Sequence, residues 1–259
     1  MNLNPSRNIE VCLTPALLPF CLSNTPLIVV VVDILRATTS ICTAFDYGVK
    51  AIFPVAGLDE AKAMKRKGYK VAAEREGVIL DFADYGNSAF NFMNENIKGE
   101  TIVYSTTNGT QTIGLAAQKG VVVIGAFSNI TALTEALKCW QGNVMILCSG
   151  WKNRFNLEDT LFAGAVAKRL LAESGYTTHD DATNGAIELW NANCDNIPGF
   201  LANAEHRERL RRLKLDDVID YSFTQDTCQS VPIMHNHLLI DGRRIGFPAA
   251  FEIQSQNKL

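Results

Sequence analysis

A chain of 259 residues with 47% hydrophobic and 20% charged residues is an ordinary globular sequence, long enough for one large core or two smaller ones. A formal charge of -3 without a basic stripe argues against a nucleic-acid partner. The apolar run over 27–32 is too short to span a bilayer and the first ten residues carry no leader pattern, so a cytoplasmic protein with no membrane contact is expected.

In chain order, the run LIVVVV predicts a buried strand over 27–32, followed by a helix over 38–47 that stops at Gly48. A strand over 49–55, a helix over 58–67 with Gly68 at its left-handed cap, a strand over 69–73 and a helix over 88–95 come next. The alternation continues with strand 101–105, helix 110–118, strand 121–124, helix 130–140, strand 143–147 and a helix over 157–172. This order predicts an α/β fold with mostly parallel sheets, and unbroken apolar strands predict sheets covered on both faces. The seven cysteines include no C-x-x-C pair. Cys42, Cys139 and Cys148 lie in apolar segments, the pattern of reduced core thiols rather than of a disulfide framework.

The sequence also repeats. TTSICTAFDYGVKAIFPV aligns with GTQTIGLAAQKGVVVIGA, placing Thr38 on Thr110, Ala44 on Ala116, Gly48 on Gly120 and Ile52 on Ile124, each offset by 72. Downstream, Gly68 falls on Gly142 and Asp84 on Glu158, offset by 74. An internal duplication is therefore expected, giving two similar three-layer α/β/α lobes in one compact unit. Residues 1–100 would form the N-terminal lobe, residues 101–259 the C-terminal lobe plus an extension, and the site would lie between them. From Gly175 onward the chain has no counterpart in the repeat.

Ligands of open parallel sheets bind beyond the carboxyl ends of the strands. Four polar turns fall there: DILRATT (33–39), EREGVILDFADYGNS (74–88), STTNGT (105–110) and CSGWKNRFNLEDT (148–160). Helix N-termini, threonine hydroxyls and Arg36 suit an anion. Asp33, Glu74, Asp81, Asp84, Glu158 and Asp159 supply oxygens suited to a hard divalent cation. Any one of these turns alone reads as an N-cap before it reads as a site, and STTNGT lacks the lysine of a P-loop. The set of four carries the reading, and a magnesium-dependent phosphate-ester site satisfies both kinds of group.

VVVVDILRATTSI, EREG…DYGNS, STTNGT and CSGW…LEDTLFAG together resemble the 2-phosphosulfolactate phosphatases of the ComB family. The resemblance covers roughly residues 29–164, and less sharply DYSFTQDTCQSVPIM. It implies two similar α/β/α lobes and a magnesium-dependent phosphohydrolase that converts 2-phospho-3-sulfolactate to sulfolactate and phosphate, a step of coenzyme M biosynthesis in methanogens. The chain departs from the family pattern at Ala73, where a GER glycine is expected, at Glu76, where a second glycine is common, and at Ala89, where NSP has proline.

The phosphate is assigned to the turns at Thr38–Thr39 and Thr106, Thr107, Asn108 and Gly109, with Glu74, Asn87, Ser88, Cys148 and Gly150 as further substrate-binding positions. Arg36 and Arg75 would hold phosphate or the other acid groups. Asp33, Glu158 and Asp159 are the candidates for Mg2+ binding or water activation, and Asp33, Arg36, Glu158 and Asp159 for catalysis. The partner is a small anionic phosphorylated substrate.

Two alternatives stay open. CSGWKNR fits C-x5-R, with Cys148 as a thiolate nucleophile and Arg154 as its arginine. The chain could instead be a non-enzymatic sensor of a phosphorylated or sulfonated metabolite. A haloacid-dehalogenase reading of Asp33 fails because residue 35 is leucine. His235 and His237 would share one face of a strand, as surface or hydrogen-bonding groups rather than as a chelate. HRERLRRLK (206–214) reads as a helix face for solvent or for the second subunit of a homodimer, with some capacity to attract an anion.

Overall fold

A parallel strand must be apolar on both faces to be covered on both. Leu27–Val32 meets that condition, with every side chain at most 5% exposed. The computed structural model describes residues 7–21 and 27–248. Among them, one sheet contains β1 Arg7–Cys12, β2 Leu27–Val32, β3 Ala51–Pro54, β4 Lys70–Arg75, β5 Val78–Ile79, β6 Thr101–Ser105, β7 Val121–Gly125, β8 Asn143–Cys148, β9 Tyr176–Thr177, β10 Pro232–His235 and β11 Leu238–Asp241. The order is β5-β4-β6-β3-β11-β10-β7-β2-β8-β1-β9. The helices of this α/β/α fold are α1 Ala37–Asp46, α2 Leu58–Arg66, α3 Gly109–Ala116, α4 Ile130–Cys139, α5 Leu157–Glu173, α6 Asp181–Asn193, α7 Ile197–Phe200, α8 Glu205–Arg212 and α9 Ile219–Phe223.

Strands from residues 1–100 and 101–259 interleave. β2 lies between β7 and β8, and β6 lies between β3 and β4, all in parallel. The trios β4-β6-β3 and β8-β2-β7 stand on either side of the antiparallel β10–β11 hairpin. Thr38 and Thr110 are each the second residue of their helix, in α1 and α3. Part of the C-terminal extension is thus a sheet element, bonded to β7 through Ile233 and to β3 through Leu239.

Local chemistry explains where expected elements shift. The helix expected over 88–95 is two short 3-10 turns, Ala89–Phe92 and Glu95–Ile97. Ser88, Asn91 and Asn94 side chains accept backbone N–H groups there, which competes with a continuous helix. β4 runs through Glu74 and Arg75, two residues beyond the expected end. His235 ends β10 while His237 sits in the hairpin turn with Asn236, both at positive φ, so the two imidazoles do not share a strand face. Cys42 and Cys148 are buried as expected, but Cys139, at the last turn of α4, is exposed. No helix among the described residues is long and apolar enough to cross a membrane.

Candidate active site

The turn after β2 is locked by its own polar groups. Thr38 N donates to Asp33 O at 2.9 Å, and Asp33 N donates to Thr38 Oγ1 at 3.0 Å. Thr39 Oγ1 donates to Ile34 O at 2.9 Å, and Ala37 N donates to Asp33 Oδ1 at 3.3 Å. The turn after β6 uses a similar device: Thr106 N donates to Thr110 Oγ1 at 3.2 Å, and Thr110 N to Thr106 Oγ1 at 3.3 Å. A Cβ on Gly109 would lie 2.6 Å from Ala37 Cβ and 3.0 Å from Asp33 Oδ2. The glycine therefore lets the N-termini of α1 and α3 converge beside Asp33, and both positive dipole ends meet there.

A small, mostly polar pocket opens at this point. Of the expected residues, Asp33, Arg36, Glu74, Asn87, Thr106, Thr107 and Asn108 line it. Arg36 is only 6% exposed, and its side chain has no hydrogen bond or ion pair among the described residues. Burial lowers its pKa from the ordinary arginine value, opposed by the charges of Glu74, Tyr104 and Asp33. A buried charge without a hydrogen-bonded partner costs several kcal/mol, about the order seen when ion pairs are broken. The guanidinium faces the pocket, in the geometry that suits an anion.

Glu74 is held more tightly. Its carboxylate accepts Gly77 N at 2.6 Å and Thr107 N at 2.8 Å, so it ties the β4–β5 turn to the β6–α3 turn. Asn87 Oδ1 accepts the buried Tyr104 hydroxyl. Burial raises the Asp33 pKa to about 6, opposed by His206 and by the Ala37 N–H, while Glu74 and Glu158 push it further up. Asp33 Oδ2 has no hydrogen bond among the described residues.

Sequence reasoning missed Trp151, His206 and Arg209, which also line the pocket. Glu158, 1% exposed, pairs its Oε1 with His206 Nδ1 at 2.7 Å. Nε2 is the ring nitrogen left over. The Trp151 ring stacks on His206 at 5.4 Å between centroids, and the Arg209 guanidinium sits 4.0 Å from the Trp151 centroid. The available signal was the spacing in HRERLRRLK: His206 and Arg209 are one turn apart on one face of α8. The outer face carries Glu208 paired with Arg211 and Arg212, as a solvated helix would.

Other expected residues lie elsewhere. Arg75 donates to Ser105 O at 3.1 Å and Ala56 O at 3.0 Å, because adjacent strand residues point to opposite faces. Thr38 and Thr39 spend their hydroxyls inside the first turn, and Ser88 caps Phe90 N. Gly150 sits at φ +58, where a Cβ would come 2.2 Å from Arg154 O. Asp159 is fully buried and accepts Ile34 N at 2.9 Å, Asn156 Nδ2 at 3.0 Å and Gly150 N at 3.1 Å. It is a clamp between the ends of β2 and β8. Cys148 is fully buried and burial pushes its thiol well above the ordinary range, while the Arg154 side chain is 70% exposed and faces Glu205. That arrangement does not make a thiolate loop around an anion.

Among the described residues, no three His, Cys, Asp or Glu side chains form a metal-binding group. Asp159 has its oxygens filled by N–H donors, and Glu158 is committed to His206. Asp33 remains, with Oδ2 open toward the pocket. One carboxylate completed by phosphate oxygens and water is a normal magnesium environment, so the residues fit the ion with Asp33 as its protein ligand.

The sequence model of the 2-phosphosulpholactate phosphatase family matches residues 12–237. A Thermotoga maritima protein named probable 2-phosphosulfolactate phosphatase is 33% identical over 214 residues, covering 82% of this chain and 90% of its own length. A Prochlorococcus marinus protein of the same name is 37% identical over 191 residues, covering 71% and 79%. A third, from Clostridium tetani, is 31% identical over 214 residues, covering 82% and 91%. Matched across both ends of the pocket, from the β2 turn to α8, the chain belongs to the 2-phosphosulpholactate phosphatase family.

Proposed function

We propose that this chain is a magnesium-dependent phosphatase of the cytoplasm that hydrolyses 2-phospho-3-sulfolactate, or a related phosphorylated 2-hydroxy acid, to the hydroxy acid and phosphate. The observation that carries the reading is Arg36, a buried guanidinium without a partner at the convergence of two helix N-termini. A phosphoryl group there would gain bidentate hydrogen bonds and two dipole ends.

Each residue then has a task. Arg36 and the starts of α1 and α3 hold the phosphoryl oxygens. Asp33 orients the attacking water through its carboxylate. His206 Nε2 gives a proton to the departing alkoxide as the P–O bond breaks, and Glu158 fixes the ring through Nδ1. Asp33 would also hold magnesium, which would supply positive charge against the oxygens of the transferring group. Trp151 and Leu210 form the apolar wall of the pocket and limit water.

Phosphate release from 2-phosphosulfolactate, measured with magnesium and after exhaustive chelation, tests this directly. Release that stops on chelation and returns with magnesium is expected. Binding without release would make the chain a sensor, and full activity after chelation would remove the metal from the account.

A further inference from the structure

Three segments border the pocket: the β4–β5 turn through Gly77, the turn over 151–154 through Trp151, and α8 through His206, Arg209 and Leu210, with Glu76 and Lys152 beside this lining. Glu76 reaches across the gap. Its carboxylate lies 2.8 Å from Lys152 Nζ and 3.5 Å from Arg209 NH2. The backbone around it is fixed. Glu76 N donates to Thr107 Oγ1 at 3.0 Å, and a Cβ on Gly77 would meet Leu213 Cδ1 at 2.9 Å. Lys152 Nζ lies 5.3 Å from the Trp151 ring that also carries Arg209.

The charges raise a question. Arg36 and Arg209 both line the pocket, and the Arg209 charge disfavours that of Arg36. Arg209 is ion-paired with Glu76, whereas Arg36 has the Glu74 and Asp33 carboxylates near it but forms no ion pair among the described residues. On the phosphatase reading the phosphoryl group sits at Arg36. The remaining cations, Arg209 and Lys152, then face outward-lying Glu76 and any second acid group of the same ligand.

We infer that Glu76 is an internal competitor for the substrate's non-transferred acid group, and that a carboxylate or sulfonate takes its place on Arg209 and Lys152. The inference rests on the phosphatase reading and adds a specificity-determining residue to it. Glu76 is half-exposed, so its pairs are weak enough to exchange; an exposed ion pair is worth at most a factor of roughly five. A monoanionic arm on the ligand gains both cations at the moment Glu76 releases them. A phosphoester without that arm leaves the gate shut and binds through Arg36 alone.

The test uses Glu76→Gln, which keeps the side-chain length and the backbone demand of a residue at φ +55. Three substrates are compared: isopropyl phosphate, 2-phospholactate, which replaces one methyl by a carboxylate, and 2-phosphosulfolactate, which adds the sulfonate. For Glu76→Gln, KM should fall about three- to tenfold for the acid-bearing substrate or substrates, with kcat unchanged. Isopropyl phosphate should keep its KM within about twofold. A drop already present with 2-phospholactate assigns the carboxylate to the gate; one confined to 2-phosphosulfolactate assigns the sulfonate. Calorimetric titration with sulfolactate, which carries no phosphate, reads the gate without turnover and should show tighter binding to Glu76→Gln by a similar factor. Absence of hydrolysis in the wild type would sink the phosphatase reading while the calorimetry still reports on Glu76. Unchanged or weaker sulfolactate binding by Glu76→Gln overturns the gate.

Discussion

Asp33 and Asp159 are two buried aspartates at the carboxyl ends of neighbouring strands, one after β2 and one at the start of α5. They differ in their donors. Asp159 accepts three N–H groups from Ile34, Gly150 and Asn156 and does not line the pocket. Asp33 accepts one side-chain-directed N–H, from Ala37, and leaves Oδ2 open at the pocket floor. Burial and hydrogen bonding oppose each other at a carboxylate. Burial raises both: the Asp159 carboxyl lies well above the ordinary range, with Glu158 and Asp33 adding to the rise against the Ile34 and Asn156 donors, so the two aspartates differ in donor number and pocket access rather than in the direction of their shift.

The sharpest break of this comparison is Asp33→Asn. Loss of the carboxylate should reduce kcat by about 10²–10⁴, the usual range for one acid–base or water-orienting group. The same substitution should stabilise the protein at neutral pH. The folded pKa of Asp33 is raised to about 6, so the stability linked to its proton is full below about pH 4 and lost as pH rises through 6. Asparagine avoids that loss, by ~1–3 kcal/mol. Thermal melts of both proteins at pH 7.5 and at the lowest pH they tolerate check it: the difference should shrink toward zero on acidification.

Asp159→Ala should behave in the opposite way. Three N–H groups lose their acceptor, each costing ~1–3 kcal/mol when buried, so unfolding by denaturant should show a loss of ~3 kcal/mol or more. The fraction that folds should keep most of its turnover. A stable but inactive Asp159→Ala would place that carboxylate in the chemistry and erase the contrast.

Arg36→Met sharpens the comparison from the cationic side. Its removal should lower kcat/KM about 10²-fold, the worth of one or two hydrogen bonds to a charged group. It should also raise stability, because an unpaired buried charge becomes an apolar side chain of similar length. Inorganic phosphate should protect the wild type against thermal unfolding, and that protection should vanish in Arg36→Met. The smallest effect belongs to Cys148→Ser. Activity should stay within a few-fold, with ~1–2 kcal/mol of stability lost for a hydroxyl in an apolar site. A dead Cys148→Ser would return the chemistry to the C-x5-R loop.

Much of this was legible from residue order. The alternation of strands and helices, the buried LIVVVV strand and the polar turns all follow from periodicity and turn chemistry. Asp33 and Arg36 were legible because charge directly after an apolar strand has few structural uses. His206 and Arg209 were not, since a helix rich in arginine is most often a solvated face, and only the fold says which of its sides is covered. Arg75 was misplaced for a simpler reason: strand alternation sends it away from its neighbour Glu74 once β4 extends through both.

The sequence by itself determined the element types, the α/β class, the family resemblance and the pair Asp33–Arg36, because each depends on residues close together in the chain. The tertiary structure decided the rest. It threads β2 between β7 and β8, inserts the β10–β11 hairpin between the two trios, and brings His206 and Arg209 more than a hundred residues along the chain to stand over Asp33. These outcomes depend on which strand edges pair and which N–H groups arrive at each carboxylate. A local pattern specifies that a strand is buried and that a turn is polar, but pairing across distant segments is fixed only by packing the whole sheet.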